Sequence, residues 1–253
     1  MISVAVSGAA GRMGRLVAAT VAAASDLELA GCFDPAGVGE VEGMAITPDP
    51  DHLAAADVVV EFTTPDVVMQ NLGVWRRMGL NAVVGTSGFD EGRLAALEEQ
   101  WGSGPPNCLV VPNFSIGAVL MMRFAQTAAP HFAAAEIIEL HHDRKADAPS
   151  GTALATAAGI REAGGRQERA VESAELVEGA RGADAGGVRV HSIRLPGLLA
   201  HQEVLLGSEG ETLTIRHDTT DRVAFMPGVL LGIRAVSGLT HPVTVGLESL
   251  LGL

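Results

Sequence analysis

Two histidines and one lysine stand close together near the middle of the chain, at His141, His142 and Lys145. Lys145 is the only lysine among 17 basic residues, and the chain contains no tyrosine. Arginine stays protonated in proteins, whereas a lysine or a histidine can give up a proton when its surroundings lower its pKa. A single lysine beside two histidines therefore indicates proton transfer or close contact with an anion.

A helix start follows this cluster, at Pro149, Ser150, Gly151 and Thr152. Ser150 is a favourable N-cap residue, and Pro149 sets the backbone for the entry to a first turn. The N–H groups at a helix N-terminus bind carboxylates well. The stretch therefore combines an expected anion site with one amine and two imidazoles.

Two other interpretations of this stretch stay open at this point: a solvated loop with incidental charges, and a metal site formed by His141, His142 and Asp143. Adjacent histidines rarely converge on one ion, and no third well-spaced His or Cys is present, so we expect no metal. Strand alternation would place the two histidines on opposite sides of a sheet. Both can face one pocket only if the backbone leaves sheet geometry there.

The N-terminal part of the chain has the pattern of a dinucleotide site. A short apolar strand, a Gly-x-x-Gly-x-x-Gly turn ending at Gly14, and a helix precede a second strand at residues 27–33, which is followed by Asp34. The glycines permit close approach of the backbone to a pyrophosphate, and the acidic residue can accept hydrogen bonds from the ribose. The alternative is a tight strand–helix turn with no ligand.

Three further apolar strands follow, at residues 56–62, 81–84 and 108–111, and each ends in a loop of small or polar residues. In an open parallel sheet, the carboxyl ends of the strands form the ligand crevice. Three such loops in succession, after a dinucleotide pattern, predict a cofactor-binding edge on a Rossmann-type sheet.

The pattern changes after residue 114. A helix rich in Met and Ala is expected at residues 116–129, and a polar, Gly-rich segment covers residues 164–187. Three alternating strands come next, with a Gly-Ser-Glu-Gly hairpin signal between the last two. A helix at residues 222–236 and a short strand at residues 243–247 follow. The fold class expected is α/β, with an N-terminal Rossmann-type parallel sheet and a second α+β domain carrying a mostly antiparallel sheet.

Composition limits the partners. The formal net charge of -13 argues against nucleic acid and against an anionic membrane surface, because both require a basic face. No signal peptide or membrane-spanning run is recognisable, and Cys32 and Cys108 fit no metal or redox spacing. We expect two buried, reduced thiols in a cytoplasmic protein.

The sequence ELHHDRKADAPSGTA around the central cluster closely resembles the signature of the dihydrodipicolinate reductase (4-hydroxy-tetrahydrodipicolinate reductase) family. The resemblance extends along almost the whole chain. It includes GAAGRMG near the start, EFTTP at 61–65, GTSGF at 85–89, PNFSIGA at 112–118 and GETLTIRH at 210–217.

The resemblance implies an NAD(P)H-dependent reduction of 4-hydroxy-tetrahydrodipicolinate, a cyclic dicarboxylate, to tetrahydrodipicolinate in lysine and diaminopimelate biosynthesis. It implies a homotetramer. It also implies a dinucleotide-binding domain of residues 1–114 plus 222–253, and a substrate-binding and oligomerisation domain of residues 115–221.

The resemblance assigns roles by motif. His141 and Lys145 would transfer protons, and which of the two delivers the proton stays open. The residues implied for the substrate are His142, Ser150, Gly151 and Thr152. Those implied for the dinucleotide are Gly8, Ala9, Ala10, Gly11, Arg12, Met13, Asp34, Gly85, Thr86, Ser87, Val111, Pro112, Asn113 and Phe114.

Two departures from the family pattern concern the cofactor. The family often has a second threonine where this chain has Ser87, which keeps the hydroxyl. Relatives that favour the phosphorylated cofactor often carry Arg after the acid of the second strand, whereas here Pro35 follows Asp34. We therefore expect NADH to be used at least as well as NADPH, unless Arg12 or Arg15 compensates.

Two rival functions are a dehydrogenase of similar architecture acting on an amino acid or a sugar, and a non-enzymatic dinucleotide sensor. Neither has a reason to carry the HHxxKxDAPSGT sequence.

Overall fold

The computed structural model describes residues 1–165, 171 and 174–253. Within these residues the chain forms two compact units, one of Met1–Ile116 with Phe225–Leu253 and one of Gly117–Ala224. These limits lie within three residues of the division expected after residue 114 and before residue 222. Residues 166–170, 172 and 173 of the predicted Gly-rich segment lie outside the described residues.

The described residues contain thirteen strands and six α-helices. The strands are β1 (Ile2–Ser7), β2 (Leu27–Phe33), β3 (Gly39–Val41), β4 (Met44–Thr47), β5 (Val58–Glu61), β6 (Asn81–Val84), β7 (Cys108–Val110), β8 (Ala134–His141), β9 (Ala183–Asp184), β10 (Arg189–Arg194), β11 (Ala200–Ser208), β12 (Glu211–Thr219) and β13 (Val243–Val245). The helices are α1 (Arg12–Ala23), α2 (Val68–Arg77), α3 (Glu91–Trp101), α4 (Ile116–Ala128), α5 (Gly151–Glu162) and α6 (Met226–Ala235).

The first unit is built on a sheet of order β13-β7-β6-β5-β1-β2-β4-β3, in which only the β3–β4 pair is antiparallel. Both faces of this sheet are covered. Val58 and Val60 of β5 pack in a core with residues of α1 and α6, whereas Val59 packs with residues of α2 and α3. Burial on both faces explains why β5 is a continuous run of valines. The Rossmann-type sheet expected from the sequence is confirmed.

The second unit contains a sheet of order β12-β11-β8-β10-β9. Its pairs are antiparallel except β8–β10, so the expectation of a mostly antiparallel sheet is confirmed. Alternate residues of β8, such as Ile137, pack against α4 and α5, and Ala125, Ala157 and Ile160 of these helices lie in the same core. Strand β8 lies at the centre of this sheet.

Several elements differ from the sequence-based expectation. Strands β3, β4 and β9 were not predicted, because two to four residues are too few to show alternation. Helix α6 begins at Met226 rather than at residue 222, after a 3₁₀ turn at Arg222–Phe225. Pro227 lies in the first turn of α6, where its missing N–H costs no helical hydrogen bond.

Cys32 and Cys108 are unpaired and buried, as expected. Burial raises the pKa of both thiols, that of Cys32 to about 11. Among the described residues, no helix is long and apolar enough to span a membrane.

Candidate active site

The turn between β1 and α1 is shaped by glycines that leave no room for a side chain. Gly8 has a φ of +82°, and a Cβ atom there would lie 2.4 Å from the carbonyl oxygen of Phe62. A Cβ atom on Gly14 would lie 2.1 Å from the Gly8 carbonyl oxygen. Gly11 is the N-cap of α1, so no side chain caps this helix. The turn therefore presents backbone N–H groups and the positive end of a helix dipole.

Asp34, at the end of β2, is bound to this turn. Its Oδ2 accepts a hydrogen bond from the Ala10 N–H (3.1 Å), and its Oδ1 accepts one from the Ala36 N–H (3.1 Å). The Asp34 N–H donates to the Thr47 carbonyl of β4 (3.0 Å). The carboxylate predicted to bind a ribose thus also fixes the glycine turn against the segment after β2.

The loops after β6 and β7 lie at the same sheet edge, because these strands run parallel to β1. A Cβ atom on Gly85 would lie 2.2 Å from the Phe62 ring and 2.8 Å from the Phe114 ring, whose centroids are 5.5 Å apart. The Thr86 hydroxyl donates to the Glu61 carbonyl (3.3 Å). The other predicted cofactor residues of these turns are Ala9, Arg12, Met13, Ser87, Val111, Pro112 and Asn113.

Glu61, at the end of β5, is a buried carboxylate that sequence reasoning did not single out. Its Oε2 accepts a hydrogen bond from Trp75 Nε1 (2.9 Å), and its Oε1 accepts bonds from the Thr63 hydroxyl and the Thr63 N–H (3.1 Å). Asn71 Nδ2 lies 3.4 Å from Oε2. The donors to this carboxyl group among the described residues are neutral, and they fix the loop that follows β5. An acidic residue ending a strand of valines was the available signal.

In the second unit, β8 ends at His141, so the backbone leaves sheet geometry at His142. The His141 Nδ1 atom lies 2.5 Å from Oε2 of Glu139, which is on the same face of β8 two residues earlier. The Glu139 side chain is fully buried. Arg194 of β10 donates to both of its oxygens, from Nη1 to Oε2 (3.0 Å) and from Nη2 to Oε1 (2.9 Å).

The charge of Glu139 is held by these donors. Burial acts to raise the pKa of this carboxyl, but hydrogen bonds from His141, Arg194 and Ser192 outweigh burial and lower the pKa to about 2. Glu139 is therefore ionised at neutral pH, inside the sheet of the second unit.

Arg194 also holds the loop that follows β8. Its Nη2 donates to the Asp147 carbonyl oxygen (2.6 Å), and the neighbouring Leu195 N–H donates to the His141 carbonyl (3.0 Å). The structure thus connects the two predicted proton-transfer residues. His141 contacts Glu139, and Arg194 joins Glu139 to the backbone beside Lys145.

Lys145 lies in this loop with its amine against the Asp147 carboxylate, at 2.7 and 2.8 Å from the two oxygens. The hydrogen bond from Lys145 lowers the pKa of Asp147. The Lys145 N–H donates to the His142 carbonyl (3.1 Å). Nδ1 of His142 is buried and has no hydrogen-bond partner in the described part of the chain. The His142 imidazole therefore has hydrogen-bonding capacity that the described residues do not use.

Helix α5 begins where the sequence predicted it. The Ser150 hydroxyl accepts a hydrogen bond from the Ala153 N–H (3.2 Å), so its role as N-cap is confirmed. A Cβ atom on Gly151 would meet no atom within 4 Å, so there is open space beside the first turn. The carbonyl of Thr152 accepts a bond from the Thr156 hydroxyl (2.8 Å). A carboxylate could therefore approach this helix start.

A second cluster of the same residue types lies on the opposite face of β8. Oε1 of Glu136 accepts a hydrogen bond from Arg181 Nη2 (2.5 Å), and Oε2 of Glu136 lies 2.8 Å from His191 Nε2. All three side chains are about a third exposed. No group of metal-ligating side chains occurs among the described residues.

Comparison with known proteins covers almost the whole chain. The sequence profile described as dihydrodipicolinate reductase, N-terminus, matches residues 2–114, and the profile described as the C-terminus matches residues 117–251. The chain belongs to the dihydrodipicolinate reductase family.

Full-length members of the family are closely similar. The 4-hydroxy-tetrahydrodipicolinate reductase of Cutibacterium acnes is 53% identical over 258 residues, with all of both chains covered. That of Thermobifida fusca is 52% identical over 257 residues, again with all of both chains covered. A solved dihydrodipicolinate reductase from Paenisporosarcina sp. TG-14, with dipicolinate bound, is 36% identical. It covers 98% of this chain and 99% of its own, with a TM-score of 0.83.

More distant structures share only the fold. An amine dehydrogenase from Mycobacterium smegmatis is 13% identical with a TM-score of 0.62, covering 96% of this chain and 94% of its own. The chain, as a member of this reductase family with a Rossmann-type first unit, is an NAD(P)H-dependent enzyme. Its residues fit a dinucleotide, because the glycine turn leads into a helix start without a side-chain cap and Asp34 is bound to the same turn through the Ala10 N–H.

Proposed function

We propose that this chain reduces 4-hydroxy-tetrahydrodipicolinate to tetrahydrodipicolinate, with NADH or NADPH, in lysine and diaminopimelate biosynthesis. The observation that carries the proposal is the stretch from His141 to Thr152. It brings an imidazole, an amine and a helix start into one connected loop of a dihydrodipicolinate reductase. The name of the relatives and the dipicolinate bound by one of them support the substrate class.

The substrate carries two carboxylates, and the loop offers groups for them. We assign them to the first turn of α5 at Gly151 and Thr152 and to the imidazole of His142. The unpartnered Nδ1 of His142 supports this role. Ser150 contributes by capping the helix, since its hydroxyl is already used by the Ala153 N–H.

The net change replaces a hydroxyl group by hydrogen, so one hydride and one proton are consumed and one water is released. Bound NAD(P)H would supply the hydride. The residues that we assign to binding of the dinucleotide are Gly8, Ala9, Ala10, Gly11, Arg12, Met13, Asp34, Gly85, Thr86, Ser87, Val111, Pro112, Asn113 and Phe114. The chain supplies the proton from His141 or Lys145. Both side chains are largely buried, and each contacts a carboxylate, Glu139 for His141 and Asp147 for Lys145.

The test of these roles is the turnover of His141→Ala and Lys145→Ala, measured as NADH oxidation dependent on the cyclic dicarboxylate. A positioned proton donor accelerates a reaction by about 10²–10⁴-fold, so each substitution should lower kcat by a factor in that range. Arg144→Ala removes an exposed cation from the same loop and serves as the control, with kcat retained. Near-wild-type kcat in both variants would refute the assignment.

For Thr152 we expect a binding effect. Thr152→Ala should raise KM and weaken inhibition by pyridine-2,6-dicarboxylate, with a smaller change in kcat. An unchanged KM would count against a role in carboxylate binding.

We propose that NADH is used at least as well as NADPH. Asp34 is a carboxylate whose oxygens already bind the Ala10 and Ala36 N–H groups, and Pro35 offers no charge for a 2′-phosphate. Arg15 is engaged by backbone, donating to the carbonyls of Ala10 (3.2 Å) and Glu40 (3.2 Å). Comparison of kcat/KM for the two cofactors tests this, and a large advantage for NADPH would contradict it.

We further propose a homotetramer assembled through the second unit. One face of its sheet packs on α4 and α5, while Ile138, Leu140 and Leu205 on the other face stay partly exposed. Light scattering of the purified chain would measure the assembly, and a monomer would contradict the proposal.

The unpaired, buried Cys32 and Cys108 support a reducing compartment, the cytoplasm.

A further inference from the structure

We propose that Glu139 and Arg194 are positioning residues for His141, holding its imidazole with the proton on Nδ1 so that Nε2 is left for proton exchange. This inference rests on the proposed function, in which His141 transfers a proton.

The hydrogen-bonding capacity of each group determines which atom carries the proton. An ionised carboxylate only accepts hydrogen bonds, and a guanidinium only donates them. Oε1 of Glu139 accepts from Arg194, and Oε2 accepts from Arg194 and faces His141 Nδ1 at 2.5 Å. Nδ1 must therefore be the donor of that contact. The tautomer of His141 follows from the charge of its neighbour.

The carboxylate stays ionised because Arg194 accompanies it into the interior. The Glu139 side chain has no exposure to solvent, and removal of the guanidinium would leave its charge buried without the permanently cationic partner that Arg194 provides. Arg194 and His141 are opposite each other in the β8–β10 register, so the two strands themselves bring these groups together.

Arg194 acts on the loop as well. Its bond to the Asp147 carbonyl (2.6 Å) fixes the backbone next to Lys145, whose amine contacts the Asp147 carboxylate (2.7 Å). One guanidinium therefore sets the orientation of His141 and the position of the loop that carries Lys145. A displacement of about 1 Å at such a site can cost about 10²-fold in rate.

The chain provides a matched control. Glu136 lies on the same strand and contacts a histidine and an arginine with the same chemistry, but none of the three belongs to the proposed site. Glu136→Gln therefore reports the general effect of removing one carboxylate charge from β8.

The deciding experiment measures the imidazole tautomer of His141 by ¹⁵N NMR of the full chain at about pH 8.5, above the usual range of histidine titration. The wild type should show Nδ1 protonated. In Glu139→Gln the side chain has one accepting oxygen instead of two, so one of the two contacts with Arg194 is lost whichever way the amide turns. The neutral amide no longer requires Nδ1 of His141 to be the donor, so the share of His141 protonated on Nε2 should rise above that of the wild type. Glu136→Gln should leave the His141 signals unchanged.

Kinetics provide the second measurement. Glu139→Gln should lower kcat by about 10²-fold, at the lower end of what a positioned acid contributes. KM and the Kd of pyridine-2,6-dicarboxylate should change much less than kcat. Arg194→Lys keeps a cation at Glu139 but loses the paired contact and the bond to the Asp147 carbonyl. It should lower kcat while His141 keeps its Nδ1 proton.

The outcomes separate this inference from the proposed function. A wild-type His141 protonated on Nε2 would overturn the inference even if Glu139→Gln fails to fold. An equal loss of kcat in Glu139→Gln and Glu136→Gln would also overturn it, because the effect would then be general. If the tautomers are as expected but the chain does not turn over the cyclic dicarboxylate, the positioning geometry is supported and the proposed function is refuted.

Discussion

Strand β8 carries two glutamates that contact the same kinds of partner in different surroundings. Glu136 contacts Arg181 and His191 on one face, and Glu139 contacts Arg194 and His141 on the other. Side-chain exposure is 27% for Glu136 and zero for Glu139. Hydrogen bonds lower the pKa of both carboxyls against the effect of burial, but only that of Glu139 falls as far as about 2.

Burial changes how much a cluster of charges depends on each of its members. An ion pair near solvent gains little, because water screens it and solvates each partner when the pair is broken. A buried pair depends on both members, since removal of one leaves the other without water or a counter-charge. The cluster at Glu139 is therefore expected to be sensitive to every substitution, and the cluster at Glu136 to be tolerant.

The largest effect expected is on stability. Glu139→Ala leaves the guanidinium of Arg194 without its carboxylate and should reduce the free energy of unfolding by about 3–5 kcal/mol. Glu136→Ala should cost about 1 kcal/mol or less, because its partners are partly solvated. Trp75 and Trp101 lie in the first unit, so urea unfolding should be followed by circular dichroism and by hydrogen exchange of β8 rather than by fluorescence.

Equal losses of unfolding free energy in the two alanine variants would contradict the expected difference between the clusters. Solvent access would then not decide the strength of these clusters. The two variants can be compared directly, because each removes one carboxylate from the same strand.

A smaller effect should appear with pH. The Glu139 carboxyl has a pKa of about 2 in the folded chain against a usual value of 4.5, so its stabilising contribution is complete above about pH 4.5. That contribution is lost as the pH falls through the folded pKa. The stability difference between wild type and Glu139→Gln should therefore shrink by about 2 kcal/mol between about pH 5 and pH 3. A difference that stays constant over this range would contradict the lowered pKa.

Much of the fold and the loop could be predicted from the sequence, because the signals were local. A glycine turn after a strand, a run of valines and a Ser150 cap each act within a few residues. The single lysine and the paired histidines of the central stretch were likewise adjacent in sequence. Local patterns of this kind specify an element and the residue types that it carries.

The clusters around the buried glutamates could not be predicted, because their partners are distant in sequence. Glu139 and Arg194 are separated by 55 positions, and they meet because β10 pairs in parallel with β8. Nothing in the sequence indicates which strands are neighbours in the second sheet. Glu61 was missed for a related reason, since Trp75 reaches it from the helix that follows.

The smallest effect is expected at the exposed end of the same network. Asp147 contacts Lys145 at 2.7 Å, but its side chain is 60% exposed. Asp147→Asn should therefore cost less than about 1 kcal/mol of stability. The bond from Arg194 reaches the Asp147 carbonyl rather than its carboxylate, so the loop should keep its position in this variant. In about 1 M salt, where the screening length is about 3 Å, the difference from wild type should nearly vanish. A loss of several kcal/mol would mean that the exposed ion pair, and not the buried guanidinium, holds the loop against β8.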